Sequence, residues 1–219
     1  MQAAVPVGNG AMAALLGADM DDVTKLVNEA SKVGICEIAN DNAPGQIVIS
    51  GEAKAVNGAI NMSSDFGVRK AMSLPVSAPF HCSMMKPAAE VMAAALETTV
   101  KNSPDIPLVA NVSALVGSGD PSEIRNSLVE QVTSLVRWRE TVLWLSKQNV
   151  SSLVEIGAGK ILSGLNRRID KELISLSIAE WEEIDEFLIK VESGAVSYTH
   201  LRAHETSLHI VCRLLLEKK

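Results

Sequence analysis

Apolar residues recur along this chain with two different periods. Residues 8 to 17, GNGAMAALLG, are an apolar run bounded by glycines and predict a buried strand. In MDDVTKLVNEASK, Val23, Leu26, Val27 and Ala30 repeat at three and four residues, the spacing of one helix face, and Asp19 or Asp21 supplies a cap. VGICEIAND and QIVISG follow as two strand-like runs separated by NDNAPG, whose Asn, Pro and Gly residues predict a turn. A helix from Glu52 to about Ser64 and a strand in GVRKAMSLPVS complete a β-α-β-β-α-β order over residues 8 to 77. That order is the split βαβ, ferredoxin-like arrangement.

After Pro79 the pattern changes. MMKPAAEVMAAALETTVKN, rich in alanine and straight-chain residues, predicts a long helix, and IPLVANV (106 to 112) a strand. PSEIRNSLVEQVTSL starts with Asp120, a proline and a first-turn glutamate, the signature of a helix N-terminus. A helix in WRETVLWLSKQ, a strand in SSLVEIG, a turn and helix in GAGKILSGLNRRI, a strand in ELISLSI and a helix in EEIDEFLIKVES follow. Strands alternating with helices predict a parallel sheet covered by helices, here a narrow one. Met1 to Ala4 reads as the end of a helix.

Composition narrows the class. Of 219 residues, 47% are hydrophobic and 21% charged, with a net charge of -6, which describes a globular chain with a sizeable core. The acidic balance excludes a general nucleic-acid or anionic-membrane binder, and no run reaches the roughly 18 apolar residues of a membrane span. A cytoplasmic location is expected. The three cysteines, Cys36, Cys82 and Cys212, are widely spaced without CxxC, so neither a disulfide framework nor a zinc site is expected. The end of the chain departs from the rest, holding the single tyrosine and three of the four histidines, His200, His204 and His209. Val196 to Thr206 resembles the in-frame translation of a sequencing-library adapter. Residues 195 to 219 are therefore read as non-native and set aside, and the histidine spacing there is not read as a metal site.

His81 is then the one histidine left, in LPVSAPFHCSMMKPAA, where Pro75 and Pro79 restrict the backbone before it. An imidazole at such a junction suits a general base, and a satisfied, partly buried histidine is the plainer alternative. Cys82 beside it reads as packing, because neighbouring residues diverge. GAGK (157 to 160) lacks the earlier glycine and the following Ser or Thr of a phosphate loop, so a strand-to-helix turn is expected. Asn40, Asp41 and Asn42 are expected in an Asx-rich turn, and Asn111 at a strand end that faces a cleft. The sequence holds no GxSxG.

The strings NDNAPGQIVISG, LPVSAPFHCSMMKPAA, LVEQVTSLVRWRETV and VEIGAGKILSGLNRRI, in this order, resemble the bacterial malonyl-CoA:acyl-carrier-protein transacylases over residues 1 to about 194. The resemblance implies an α/β-hydrolase-like core with a ferredoxin-like insertion. Residues 1–7 would be the end of a truncated helix of the large subdomain, 8–78 the small subdomain and 79–194 the C-terminal part of the core. It implies malonyl transfer from coenzyme A to the phosphopantetheine thiol of acyl carrier protein, without a cofactor, through an acyl-serine. His81 matches the catalytic histidine and Gln131 the residue whose carbonyl orients it; Asn40 and Asn42 match asparagines near the cleft, read as substrate contacts. The GQGSQ segment, the GHSLGE elbow with its serine, and the malonate-pairing arginine would all precede Met1, so the chain alone is expected to be inactive. A non-catalytic module that binds an acyl carrier or coenzyme A is the alternative.

Overall fold

The computed structural model describes residues 4–76, 78–99 and 102–192, and forms two compact units. The first takes in the residues up to Ser103 together with Val109–Glu140; the second takes Pro104–Leu108 and the residues from Thr141 on. The N-terminal residues 1 to 3 and the set-aside segment 195 to 219, with its three histidines and Cys212, lie outside the described residues.

In the first unit, β1 (Gly10–Leu16), α1 (Met20–Ala30), β2 (Cys36–Ala43), β3 (Gln46–Glu52), α2 (Ala53–Met62) and β4 (Lys70–Ser73) follow one another. The strands form one sheet in the order β2-β3-β1-β4, every neighbouring pair antiparallel. Strand alternation sends Ala13, Leu15, Ile47 and Ile49 to one face, where they meet Val23, Leu26, Val27 and Ala30 of α1 and Ala55, Val56 and Ala59 of α2. All four residues of the predicted α1 face are buried, and Asp19 caps the helix by accepting from the Asp22 N–H at 2.9 Å. The opposite face holds Met12, Ala14, Ala39 and Val48 beneath Leu74 and Phe80. Phe80 also packs against Val5, Ala78, Met85, Ala88, Ala89 and Val132, where α3 (Lys86–Thr99) meets α4 (Pro121–Gln131). The sheet and this helix pair are thus joined through the residue just before His81.

Two expectations are corrected here. The stretch 106 to 112 is not one strand: only Val109–Ala110 is extended, as β5, and it pairs antiparallel with β6 (Leu115–Val116) in a hairpin. Pro104 and Pro107 withhold N–H groups from a ladder, and the chain turns back at Asn111 to Ala114, the latter at φ 55°. The turn predicted at NDNAPG is shorter than expected, because β2 runs through Asn40, Asp41 and Asn42 to Ala43 and leaves Pro44 and Gly45 to reverse the chain. Two register shifts, between Ile38 and Asn40 and between Asp41 and Ala43, accommodate residues whose composition alone suggests a loop.

In the second unit β7 (Ser152–Ile156) and β8 (Ile174–Ile178) are parallel, connected by α6 (Ile161–Ile169), and α7 (Trp181–Glu192) follows. The helix α5 (Trp138–Lys147) precedes β7. Among the described residues, no helix is long and apolar enough to cross a membrane.

Candidate active site

The segment carrying His81 lies across the second face of the sheet and is fastened on both sides. Before the histidine, Pro79 is fully buried and sits so close to β1 that a Cβ on Gly10 would come within 2.4 Å of its Cδ and Cγ. Only a glycine leaves room for the ring. After the histidine, Cys82 is buried and its Sγ donates to the Pro79 carbonyl at 3.1 Å, which tightens the turn. Ser83 is then held by Glu37 of β2: its N–H donates to Oε2 at 2.9 Å and its hydroxyl to Oε1 at 2.5 Å. Between these anchors His81 takes φ 58°, the left-handed region. That conformation costs a residue with a side chain about 1–2 kcal/mol, so the flanking contacts over-determine it.

Among the described residues, the ring has one hydrogen-bond partner, 50 residues further on. His81 Nδ1 lies 3.0 Å from the Gln131 carbonyl oxygen. A carbonyl only accepts, so Nδ1 carries the proton and Nε2 presents its lone pair. Gln131 is the last residue of α4, whose N-terminus is set by the Asp120 side chain accepting from Ser122 N at 2.7 Å and Glu123 N at 3.2 Å. A helix leaves its final carbonyls without intrahelical donors and places partial negative charge there, the sign that accommodates an imidazolium. The Gln131 side chain donates to the Ser134 carbonyl at 2.9 Å, which fixes the helix end. The arrangement can take a proton at Nε2, hold the resulting charge, and give the proton back.

Asn40 and Asn42 are half-buried on β2, the strand that also carries Glu37. Neither hydrogen-bonds His81 or Gln131, so the structure joins the second pair directly and places the asparagines on the strand that supports it. Asn111 is exposed in the β5–β6 turn, and its carbonyl accepts from Arg137 N at 3.1 Å. The edge of β2 is not open at this point: Asp41 N donates to Val136 O and Val136 N to Ala39 O, both at 2.9 Å.

One pair was not foreseen from composition. Asp41, 1% exposed, accepts from both Nε and an Nη of Arg139 on the same Oδ2, each at 2.8 Å, while its Oδ1 is buried without a partner among the described residues. Burial pushes this carboxyl above its ordinary range, and the Arg139 hydrogen bond and charge offset that only in part. Ninety-eight residues separate the two, a distance no local pattern spans. The Cys36 thiol is pushed up to about 11 by burial, and Cys82 is raised for the same reason, so neither is a ready nucleophile.

GAGK forms a turn, and the helix start it leads to is already occupied. The Glu155 carboxylate accepts from Leu162 N at 3.0 Å and from the N–H and hydroxyl of Ser163, both at 2.8 Å. Burial works against its charge, and the donors outweigh it and hold the carboxyl below its ordinary value. The protein's own carboxylate stands where a phosphate loop would hold an anion.

No family model matches the chain. Curated relatives do: the malonyl CoA-acyl carrier protein transacylase of Bacillus subtilis is 39% identical over 186 residues, covering 84% of this chain and 58% of its own length. That of Haemophilus influenzae is 40% identical over 192 residues, covering 86% and 61%. Among solved structures, the acyl-carrier-protein S-malonyltransferase of Bartonella henselae superposes with a TM-score of 0.83 at 51% identity, covering 87% of this chain and 60% of that one. The transacylase of Clostridium perfringens gives 0.84 at 35% identity, covering 89% and 61%. The chain spans about three fifths of the length of the curated relatives it matches. In sequence over 84–86% of its length, and in its mixed α/β fold, the chain is homologous to part of the malonyl CoA-acyl carrier protein transacylases.

Proposed function

We propose that this chain is the histidine-bearing part of an enzyme that moves a malonyl group from coenzyme A to the phosphopantetheine thiol of acyl carrier protein in fatty-acid synthesis, in the cytoplasm and without a cofactor. The observation that carries the reading is the His81 Nδ1 contact with the Gln131 carbonyl, which leaves Nε2 free to act as base. His81 takes the proton of a serine hydroxyl as its oxygen attacks the malonyl thioester, and gives that proton to the departing coenzyme A thiolate. In the second half, the carrier's thiol loses its proton to His81, attacks the acyl-serine, and the serine oxygen recovers the proton. Gln131 orients the imidazole as a carboxylate does in other hydrolytic triads. Asn40 and Asn42 contact substrate. A solved relative in complex with its acyl carrier protein supports a carrier as the partner.

The strand order β2-β3-β1-β4 supports reading residues 8–78 as a ferredoxin-like small subdomain; residues 79–194 are assigned to an α/β-hydrolase-like core by the resemblance alone. The serine elbow has no counterpart in these 219 residues, because no GxSxG occurs in them. A base without its nucleophile transfers nothing, so the chain alone is inactive. The test is radiolabelled malonyl transfer to carrier protein, measured for the chain alone and for a chimera joining residues 1–194 to the part of the Bacillus subtilis relative that they do not match. The expected result is no turnover for the chain, turnover for the chimera, and loss of it in the chimera with His81→Asn. Full activity in that variant would overturn the reading, and carrier binding without turnover in the chimera would favour a non-catalytic module.

A further inference from the structure

The left-handed turn at His81 is held from its C-terminal side by a single acidic side chain. Cys82, which stands at the N-cap of the helical segment Ser83–Met85 leading into α3, offers its neighbours no side-chain cap; its thiol is turned to the Pro79 carbonyl instead. The first N–H of that segment would be an orphan donor. Glu37, 46 residues earlier on β2, supplies what is missing, accepting from the Ser83 N–H with one oxygen and from the Ser83 hydroxyl with the other. A carboxylate at a helix N-terminus is also favoured by the helix dipole. Glu37 is itself fixed by the sheet, opposite Ser50 of β3 and one residue from the buried Cys36. One residue, Cys82, therefore separates Ser83, pinned to β2, from the imidazole that faces the end of α4.

We propose that Glu37 is a positioning residue for His81, setting the direction of its ring through Ser83 and so the hydrogen bond to Gln131. This rests on His81 acting as the base, and deepens that reading. Glu37 touches neither the ring nor a reacting atom; it acts by removing the freedom of the turn to relax toward a right-handed backbone. With Pro79 seated on Gly10 at the other end, the turn is clamped between β1 and β2.

The experiment reads the ring directly. In the 219-residue chain, long-range ¹⁵N spectra of the histidine rings, with His81 assigned by its loss in His81→Asn, report which nitrogen carries the proton. The parent is expected to show Nδ1–H. Glu37→Ala is expected to raise the Nε2–H form about tenfold, the change that follows when a hydrogen bond of ordinary net strength is loosened. Glu37→Gln keeps an acceptor for the Ser83 N–H and is expected to restore the parent spectrum. An unchanged ring in Glu37→Ala overturns the proposal. If that variant fails to fold, Ser83→Ala, which loses only the hydroxyl bond, carries the test: a smaller shift in the same direction supports the proposal, and an unchanged ring overturns it. In the chimera, Glu37→Ala is expected to lower kcat with KM for malonyl-CoA unchanged. Loss of the ring effect defeats the role of Glu37, whereas full activity of His81→Asn defeats the role of His81, so the two failures are read apart.

Discussion

Gly10→Ala is the most direct perturbation of the site, because it introduces one methyl group at a place where the geometry leaves none. The added Cβ would stand 2.4 Å from Pro79 Cδ and Cγ and 2.9 Å from its Cβ. Non-bonded carbons rest at about 3.5–4.0 Å, so something must move by about 1 Å. β1 resists: Gly10 is paired with Glu52 in β3, and the Asn9 carbonyl holds Ala53 N at 2.8 Å. The displacement therefore passes to Pro79 and on to His81, two residues later. A shift of that size carries the 3.0 Å contact between Nδ1 and the Gln131 carbonyl beyond hydrogen-bond distance. Overpacking of this kind costs about 1–3 kcal/mol, which lowers the thermal midpoint by several degrees. In the chimera, misplacing the base by about 1 Å is expected to slow transfer on the order of 100-fold. Circular dichroism melts and the histidine ring spectra measure the first two effects, and the radiolabel assay the third. A variant that melts with the parent and keeps its ring spectrum would refute the claim that Pro79 needs the missing Cβ.

Three further outcomes follow from the same structure. Asp41, raised by burial, binds its proton more tightly folded than unfolded, so its contribution to stability is fully present below the unfolded value of 3.8 and is lost as pH rises through the folded one; relative to Asp41→Asn, the parent should lose stability over that window in urea titrations. Glu155 shifts the other way, so its contribution is present above the ordinary carboxylate range and lost as pH falls through the lowered value; Glu155→Ala should cost about 1 kcal/mol at neutral pH, the size of a lost cap, and nothing once the parent's carboxyl is protonated. Cys36 and Cys82 should resist Ellman's reagent at pH 8 until the fold opens, which mass mapping of labelled peptides would show; rapid labelling of either in the native chain contradicts their burial.

Local signals carried the first unit far. The buried face of α1 and the Asp19 cap are visible in a dozen residues, because a helix repeats within its own length and a cap lies three residues from its donor. The strands β1 and β3 are continuous apolar runs because both sheet faces are covered. What composition misjudged was β2, whose Asn40, Asp41 and Asn42 have the chemistry of a turn and are kept extended by partners elsewhere: β3 on one side and Val136 on the other. For the site, His81 stood out by its place after two prolines, but Gln131 was reached only through the resemblance, since nothing in either neighbourhood announces the other across 50 positions. Glu37 with Ser83 and Asp41 with Arg139 were invisible for the same reason, being charge pairs and caps closed over 46 and 98 residues. The segment 106 to 112 shows the opposite error, an apolar run that reads as a core strand and instead leaves Ile106 and Leu108 each 43% exposed.

The positive φ at His81 also constrains what the position can become by mutation. Beyond glycine, the residues best tolerated in that backbone region are asparagine, aspartate and histidine itself, while β-branched residues are excluded on steric grounds. The shape of the turn and the need for an imidazole thus admit the same residue independently. Among descendants of this chain that had abandoned chemistry but kept the fold, position 81 would drift to asparagine, aspartate or glycine and not to leucine or valine, so that a dead copy would still be recognisable from the small polar residue standing where the base had been.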